Sequence, residues 1–294
     1  MTSNVGLIGL GQAGLALATP IARQYKVFGY DLDPERRALA ARAGVEVVAS
    51  ATDVAKQCDM LMLCLPNPEI SRTVLGGIGR EALTGRLILE NSTVGPEDIE
   101  ALVEIAKPAR AGVMECAILG GVQKLMAGKG TFLVGGSPAD FERARAVLDS
   151  AAEKIFYLGP LGNGMRTKLV CNAVAHAVMV VLIEAAALAA AQDIPMDVFY
   201  ELMQRESGLM RPLTHRVAER IFKGDFEGGM STANAHKDSA LALGVARDLG
   251  VPLFAISAAH TAYEIAMREG LERKDYAAMA TLWEKWVGVS LAAK

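Results

Sequence analysis

Lys168 and Asn172 stand four residues apart in Gly159-Pro160-Leu161-Gly162-Asn163-Gly164-Met165-Arg166-Thr167-Lys168-Leu169-Val170-Cys171-Asn172, and on a helix that spacing puts both on one face. A lysine near a helix N-terminus and shielded from water has its charged form disfavoured. Its pKa falls, and it can exchange a proton with an alcohol near neutrality. Asn172 is then placed to hold a substrate oxygen or the lysine itself. The plainer alternative is a solvated lysine beside a capping asparagine.

A second constellation supplies a redox partner for that proton transfer. Gly9-Leu10-Gly11-Gln12-Ala13-Gly14 follows the apolar run Val5–Ile8 and opens a helical stretch towards Gln24. Gly9 allows the tight turn, Gly11 lets the backbone approach a pyrophosphate, and Gly14 permits close packing of helix on strand. Gln12 and Ala13 begin the helix whose free N–H groups face the anion. Asp31 ends the next apolar run, Val27-Phe28-Gly29-Tyr30, where a carboxylate accepts both hydroxyls of an adenosine ribose. The cofactor expected is NAD. NADP is the weaker alternative, kept open by Arg36 and Arg37, because Asp31 repels a 2′-phosphate.

With these residues in order, the sequence resembles the β-hydroxyacid dehydrogenase family, of the 3-hydroxyisobutyrate dehydrogenase and tartronate semialdehyde reductase type. The family fingerprint GxGxxG falls on Gly9, Gly11 and Gly14, and its DxST segment on Glu90-Asn91-Ser92-Thr93. Its substrate loop DAPVSGG falls on Glu115-Cys116-Ala117-Ile118-Leu119-Gly120-Gly121. GxxGxGxxxKxxxN is met in full from Gly159 to Asn172, and KDLxLA falls on Lys237-Asp238-Ser239-Ala240-Leu241-Ala242. The resemblance implies that Lys168 is the general acid or base and Asn172 its assistant, with Lys237 near nicotinamide and substrate. It implies that Ser92, Thr93 and Leu65-Pro66-Asn67 line the cofactor, and that Leu119, Gly120 and Gly121 face the substrate. Without it, Lys237-Asp238 reads as an ion pair on a solvated helix face. His236 reads as an ordinary neighbour, and His176 as a hydrogen-bonded core residue.

The departures bear on substrate. Leu119 replaces the family serine that helps to hold a substrate carboxylate, and losing a hydrogen bond to a charged group costs about 1.5–3 kcal/mol. Glu90 and Glu115 replace aspartates, and Ala117 a proline. The activity implied is interconversion of a small β-hydroxyacid-like alcohol and its aldehyde or ketone, with substrate between two domains. Alternatives are an imine or semialdehyde reductase, or a non-catalytic sensor that binds NAD(P).

The elements that must position these residues follow from the hydrophobic pattern. Short apolar runs at Val5–Gly9, Lys26–Tyr30, Met60–Leu65, Leu87–Glu90, Ala111–Ala117, Thr131–Val134 and Ile155–Leu158 alternate with helical stretches, a βαβ rhythm. The expected fold is α/β: a doubly wound Rossmann domain over residues 1–160, then an all-α domain over 161–294 for substrate and oligomerisation. The two are joined by one long helix, since no Gly or Pro falls between Met165 and Gln192. At about 28 residues it would run about 42 Å. Lys168, Asn172, His176 and Glu184 make it too polar for a membrane span. Apolar on nearly every face, it must be covered by its own domain or by another subunit, which points to a homodimer or homotetramer. Further helices are expected at residues 197–205, 211–221, 231–249, 252–268 and 276–287.

The 294 residues, 52% hydrophobic and 21% charged, suit two ordinary globular domains. A net charge of −3 offers no footprint for nucleic acid or anionic lipid, so the partner expected is a small molecule. Cys58, Cys64, Cys116 and Cys171 form no CxxC and read as thiols in a reducing compartment. No Cys/His spacing suggests a metal. The first apolar run is too short for a secretory leader, so the expected location is the cytoplasm.

Overall fold

Among the described residues, eight strands form one sheet: β1 (Val5–Ile8), β2 (Val27–Tyr30), β3 (Glu46–Val47), β4 (Met60–Leu63), β5 (Leu87–Glu90), β6 (Gly112–Leu119), β7 (Gly130–Gly135) and β8 (Ala152–Tyr157). The computed structural model describes residues 4–205 and 209–293. Strand order is β3-β2-β1-β4-β5-β6-β7-β8, and every neighbouring pair is parallel except β6 with β7. The two-residue β3 and the antiparallel step were not legible in the sequence. A strand that short has no period, and direction is set by the connection rather than by residue type.

The central strands read as continuous apolar runs because helices cover both faces. The helices of this part are α1 (Gln12–Ile21), α2 (Pro34–Arg42), α3 (Ala51–Gln57), α4 (Pro68–Gly77), α5 (Arg80–Leu83), α6 (Pro96–Ala106), α7 (Val122–Met126) and α8 (Pro138–Asp149). Three begin with a side-chain cap followed by proline, at Asp33-Pro34, Asn67-Pro68 and Ser137-Pro138. Leu7, Met62, Leu89 and Met114 point into one core layer, while Ile8, Leu63, Ile88 and Val113 point into the other.

Register fixes what the sheet presents at its C-terminal edge. Tyr30, Ile8, Leu63, Glu90 and Glu115 stand side by side on β2, β1, β4, β5 and β6. The loops that leave this row carry Asp31, the glycine motif, Leu65–Asn67 and Ser92–Thr93. In an open α/β sheet that edge is where ligands bind.

The rest of the chain is helical: α9 (Asn163–Ala190), α10 (Met196–Gln204), a π-helical stretch (Pro212–Ile221), α11 (Thr232–Asp248), α12 (Phe254–Arg268), a 3₁₀ turn (Tyr276–Met279) and α13 (Ala280–Val287). The chain divides into two compact units, Met1–Ala173 and Val174–Lys294. The division falls inside α9, whose first turn belongs to the sheet unit through the buried Met165.

Within the second unit the start of α12 has no cap of its own. Glu184 supplies one from α9, accepting the N–H groups of Ala255 at 2.8 Å and Ile256 at 3.0 Å. Burial opposes the ionised form of Glu184, but the N–H groups of Ala255, Ile256 and Phe254 outweigh it and hold the carboxyl below the usual range. His176 is exposed rather than a core residue, a correction to the sequence reading.

By length and composition α9 is the one helix among the described residues apolar enough to cross a membrane. Two of its polar residues are instead engaged in protein, Lys168 in the sheet unit and Glu184 at α12. Its apolar faces are largely open, with Val170 65%, Val174 60% and Ile183 56% exposed.

Candidate active site

Each glycine of the fingerprint has a different reason to be glycine. Gly9 has φ +94°, and a Cβ there would lie 2.2 Å from the Cys64 carbonyl oxygen; a Cβ on Gly14 would lie 1.9 Å from the Gly9 carbonyl oxygen. Strand, turn and helix are thus in backbone contact. A Cβ on Gly11 would meet nothing within 4 Å, so this position is open towards whatever occupies the cleft. The cleft, about 360 Å³, is lined by Gly9, Gly11, Gln12, Ala13, Gly14, Asp31, Leu65 and Pro66, among others.

Asp31 is held in place before any ligand arrives. Its Oδ2 accepts the Leu10 N–H at 2.6 Å and its Oδ1 the Asp33 N–H at 2.9 Å, leaving further lone pairs for hydroxyl donors. Arg37 donates to the carbonyl oxygens of Asp31 and Leu32, at 2.6 and 3.1 Å, so its guanidinium supports the turn. Of the two arginines that kept NADP open, Arg36 alone lacks a partner among the described residues.

A second cleft of about 250 Å³ shares Ala13, Cys64 and Leu65 with the first and adds Asn91, Ser92, Thr93, Ile118, Gly120, Val122 and Leu125. Ser92 is buried and accepts the Leu65 N–H on Oγ at 2.8 Å, while Thr93 is exposed. Asn67 lines neither cleft: its Oδ1 caps α4 by accepting the Ile70 N–H at 2.9 Å. Leu119 also lines neither. It alternates with Ile118 along β6, is half-buried, and packs against the core layer that contains Leu133 and Met165. Gly120 forms part of the second cleft's wall, whereas the exposed Gly121 begins α7.

Lys168 reaches this wall from α9. Its Nζ donates to the Ile118 carbonyl oxygen at 2.6 Å, and burial pushes its pKa down. Asn172, one turn further on, has no hydrogen-bond partner among the described residues.

The residue that aims the lysine was not assigned a role from sequence. Glu115, buried on β6, accepts the N–H groups of Gly162 at 2.8 Å, Gly164 at 3.1 Å and Met165 at 3.2 Å. One strand therefore holds α9 twice, by its first turn through Glu115 and by Lys168 through Ile118. Gly135 and Gly164 make room for the carboxylate: a Cβ would lie 2.1 Å from its Oε2 at the first and 3.2 Å at the second. Burial nevertheless pushes the Glu115 carboxyl up. No local signal could have found this contact, since the partners lie 47 to 50 residues away.

Lys237 belongs to the second unit, on α11, where its Nζ lies 2.9 Å from Asp238 and both side chains are more than half exposed. Beside it His236 stacks on His260 with ring centroids 4.7 Å apart and planes 29° apart. Ligand atoms of these two and Glu264 lie within 4.8 Å of one another. No local spacing pointed to this cluster, because His236 and His260 lie on different helices.

Residues 4–159 match the family model of the NAD binding domain of 6-phosphogluconate dehydrogenase, and residues 162–283 that of NAD-binding of NADP-dependent 3-hydroxyisobutyrate dehydrogenase. Among relatives, 2-(hydroxymethyl)glutarate dehydrogenase of Eubacterium barkeri is 29% identical over 292 residues, covering 98% of this chain and 97% of its own. 3-Sulfolactaldehyde reductase of Escherichia coli is 26% identical over 279 residues, covering 94% of each. An imine reductase structure from Pseudomonas sp. has a TM-score of 0.88 at 19% identity, covering 96% of this chain and 99% of that one, which is a likeness of fold. Two family models meet end to end along the chain, and 2-(hydroxymethyl)glutarate dehydrogenase matches it over nearly the whole of both chains; the protein belongs to the β-hydroxyacid dehydrogenase family.

Proposed function

We propose that the protein is an NAD-dependent oxidoreductase that interconverts a small β-hydroxyacid-like alcohol and its aldehyde or ketone, with Lys168 as general acid–base. The observation that carries this reading is the placement of Lys168. Its amine is hydrogen-bonded to Ile118 O, on the wall of a cleft continuous with the one the glycine motif shapes. Bound NAD supplies the hydride acceptor, or in its reduced form the donor. Lys168 takes the hydroxyl proton during oxidation and returns it during reduction, and its lowered pKa suits both directions. Asn172, with its amide free, orients the reacting oxygen. Asp31 takes the adenosine ribose, and the start of α1 the pyrophosphate.

The names of the relatives support a short acid bearing a hydroxymethyl or aldehyde group as the substrate class. Since Leu119 packs against the core layer, it offers no polar contact to such an acid; Gly120 and Gly121 can offer backbone N–H groups. The test is a panel of 3-hydroxyacids and their semialdehydes with NAD and NADP, followed by cofactor absorbance. Turnover of at least one acid, faster with NAD, is expected. No turnover of any acid or aldehyde while the dinucleotide still binds would overturn the enzymatic reading in favour of a sensor.

A homodimer or homotetramer is part of the proposal, supported by the open apolar faces of α9. Light scattering that returns a single-chain mass at micromolar concentration would overturn it. Four free cysteines, Cys58 and Cys116 fully buried, support a cytoplasmic location.

A further inference from the structure

The C-terminal row of the sheet holds a carboxylic acid that this chemistry does not use. Glu90, the last residue of β5, is fully buried, and its Oε1 accepts the Ser92 N–H at 2.8 Å. Ser92 Oγ in turn accepts the Leu65 N–H at 2.8 Å. The loop after β4 therefore hangs on the loop after β5, and both hang on Glu90. Leu65 borders both clefts, Pro66 the first, and Ser92 and Thr93 the second.

The other oxygen of Glu90 is stranded. Its Oε2 is buried without a partner, and so is the hydroxyl of Ser71 on α4, which lies near enough to act on the protonation of the carboxyl. Such an arrangement is costly for a carboxylate, because burial strips the charge of water, and the hydroxyls of Ser92 and Ser71, which favour the ionised form, offset only part of that cost. Among the described residues, no cation acts on it. Asp98 on α6 has the same sign and is paired with Arg72 of α4. Cys64, beyond β4, is a thiol whose pKa burial pushes up. Glu115, beside Glu90 in the ladder, is turned to Gly162, Gly164 and Met165. Burial accordingly pushes the Glu90 carboxyl up to about 7.

We propose that Glu90 is a positioning residue of the cofactor site: as the neutral acid, accepting the Ser92 N–H, it fixes the Leu65–Asn67 and Ser92–Thr93 loops in the shape that receives the dinucleotide. The role rests on the reading of these clefts as the dinucleotide site. When the acid ionises, an unpaired charge lies beneath both loops, and they open to let water reach it.

The test is NADH binding, followed by fluorescence from about pH 6 to about pH 8.5, on the full chain, its Glu90→Gln variant and its Ser71→Ala variant. One pKa unit of coupling is a tenfold change, so wild-type affinity should weaken about tenfold as the pH rises. The amide of Glu90→Gln still accepts from Ser92 and donates to Ser71, so this variant should keep the low-pH affinity throughout. Ser71→Ala removes a hydroxyl that favours the ionised carboxyl and should displace the wild-type profile to higher pH. A wild-type profile that is flat, or one that Glu90→Gln and Ser71→Ala both retain, overturns the proposal. A change in melting temperature with unmoved affinity overturns it too, because a purely structural acid would behave that way. Binding of neither NADH nor NADPH by the wild type is a different result: the reading of the clefts then falls, and this role with it.

Discussion

Replacing Glu115 with alanine would leave three buried N–H groups, those of Gly162, Gly164 and Met165, without their acceptor. A hydrogen bond to a charged group is worth about 1.5–3 kcal/mol, but the three do not simply add, since two oxygens serve all of them. Burial also takes back part of the attraction, as the raised pKa of this carboxyl records. The working value is therefore about 3–5 kcal/mol, the cost of removing one partner from a buried charged group. Against a total stability of about 5–15 kcal/mol that loss is large. Urea unfolding at neutral pH measures it, and hydrogen exchange at the amides of Gly162, Gly164 and Met165 localises it. Lys168 lies one turn beyond the anchored residues, so kcat should fall while the affinity for NAD holds. Glu115→Asp, one methylene shorter, should recover part of both losses. The pH dependence has a definite sign. A folded-state pKa above the ordinary glutamate value makes the native state bind more protons, so this group's contribution falls as pH rises from the ordinary value to the raised one, and is flat above it. Glu115→Ala should remove that slope. A loss below about 1 kcal/mol with unchanged protection of the three amides would show that α9 is anchored by something else.

Lys168→Ala should lower turnover by about 10²–10⁴-fold with NAD affinity nearly unchanged, because proton transfer is removed and the glycine cleft is not; retention of more than about a tenth of the rate refutes the acid–base role. Asp31→Ala should weaken NAD binding and relax discrimination against NADP, and it should also loosen the turn at Leu10, which Asp31 holds at 2.6 Å; an unchanged ratio of the two affinities counts against the ribose contact. For Leu119→Ser the half-buried packing predicts a lower melting temperature with rates reduced uniformly across acids, about 1–2 kcal/mol, since only part of the usual cost of truncating a buried leucine applies. Faster turnover of carboxylate substrates alone would place that side chain at the substrate instead.

Several features of this protein are written in consecutive residues. The glycine fingerprint needs only a strand, a tight turn and a helix in sequence, so Gly9, Gly11 and Gly14 could be assigned reasons that the contacts around Gly9 and Gly14 bear out. The α9 helix, expected over residues 165–192, runs Asn163–Ala190, because an Ala-rich stretch this long without glycine or proline beyond its first turn favours a helix and contains nothing to break it. Lys168 and Asn172 share one helical face by spacing alone.

Tertiary structure decided what those elements lean on. Glu90 and Glu115 could be counted as departures from aspartate, but only register sets them side by side, and only folding brings Gly162 to one and Ser71 near the other. Leu119 was read towards substrate from its place in a motif; the two-residue period of β6 turned it to the core layer and left Ile118 at the cleft. Asn67 was spent on a helix cap and Arg37 on two carbonyl oxygens. Local pattern is fixed by steric and hydrogen-bonding rules that act over a few residues. The partner of a buried polar group is chosen across the sheet, where the demand that every such group be satisfied acts between residues tens of positions apart.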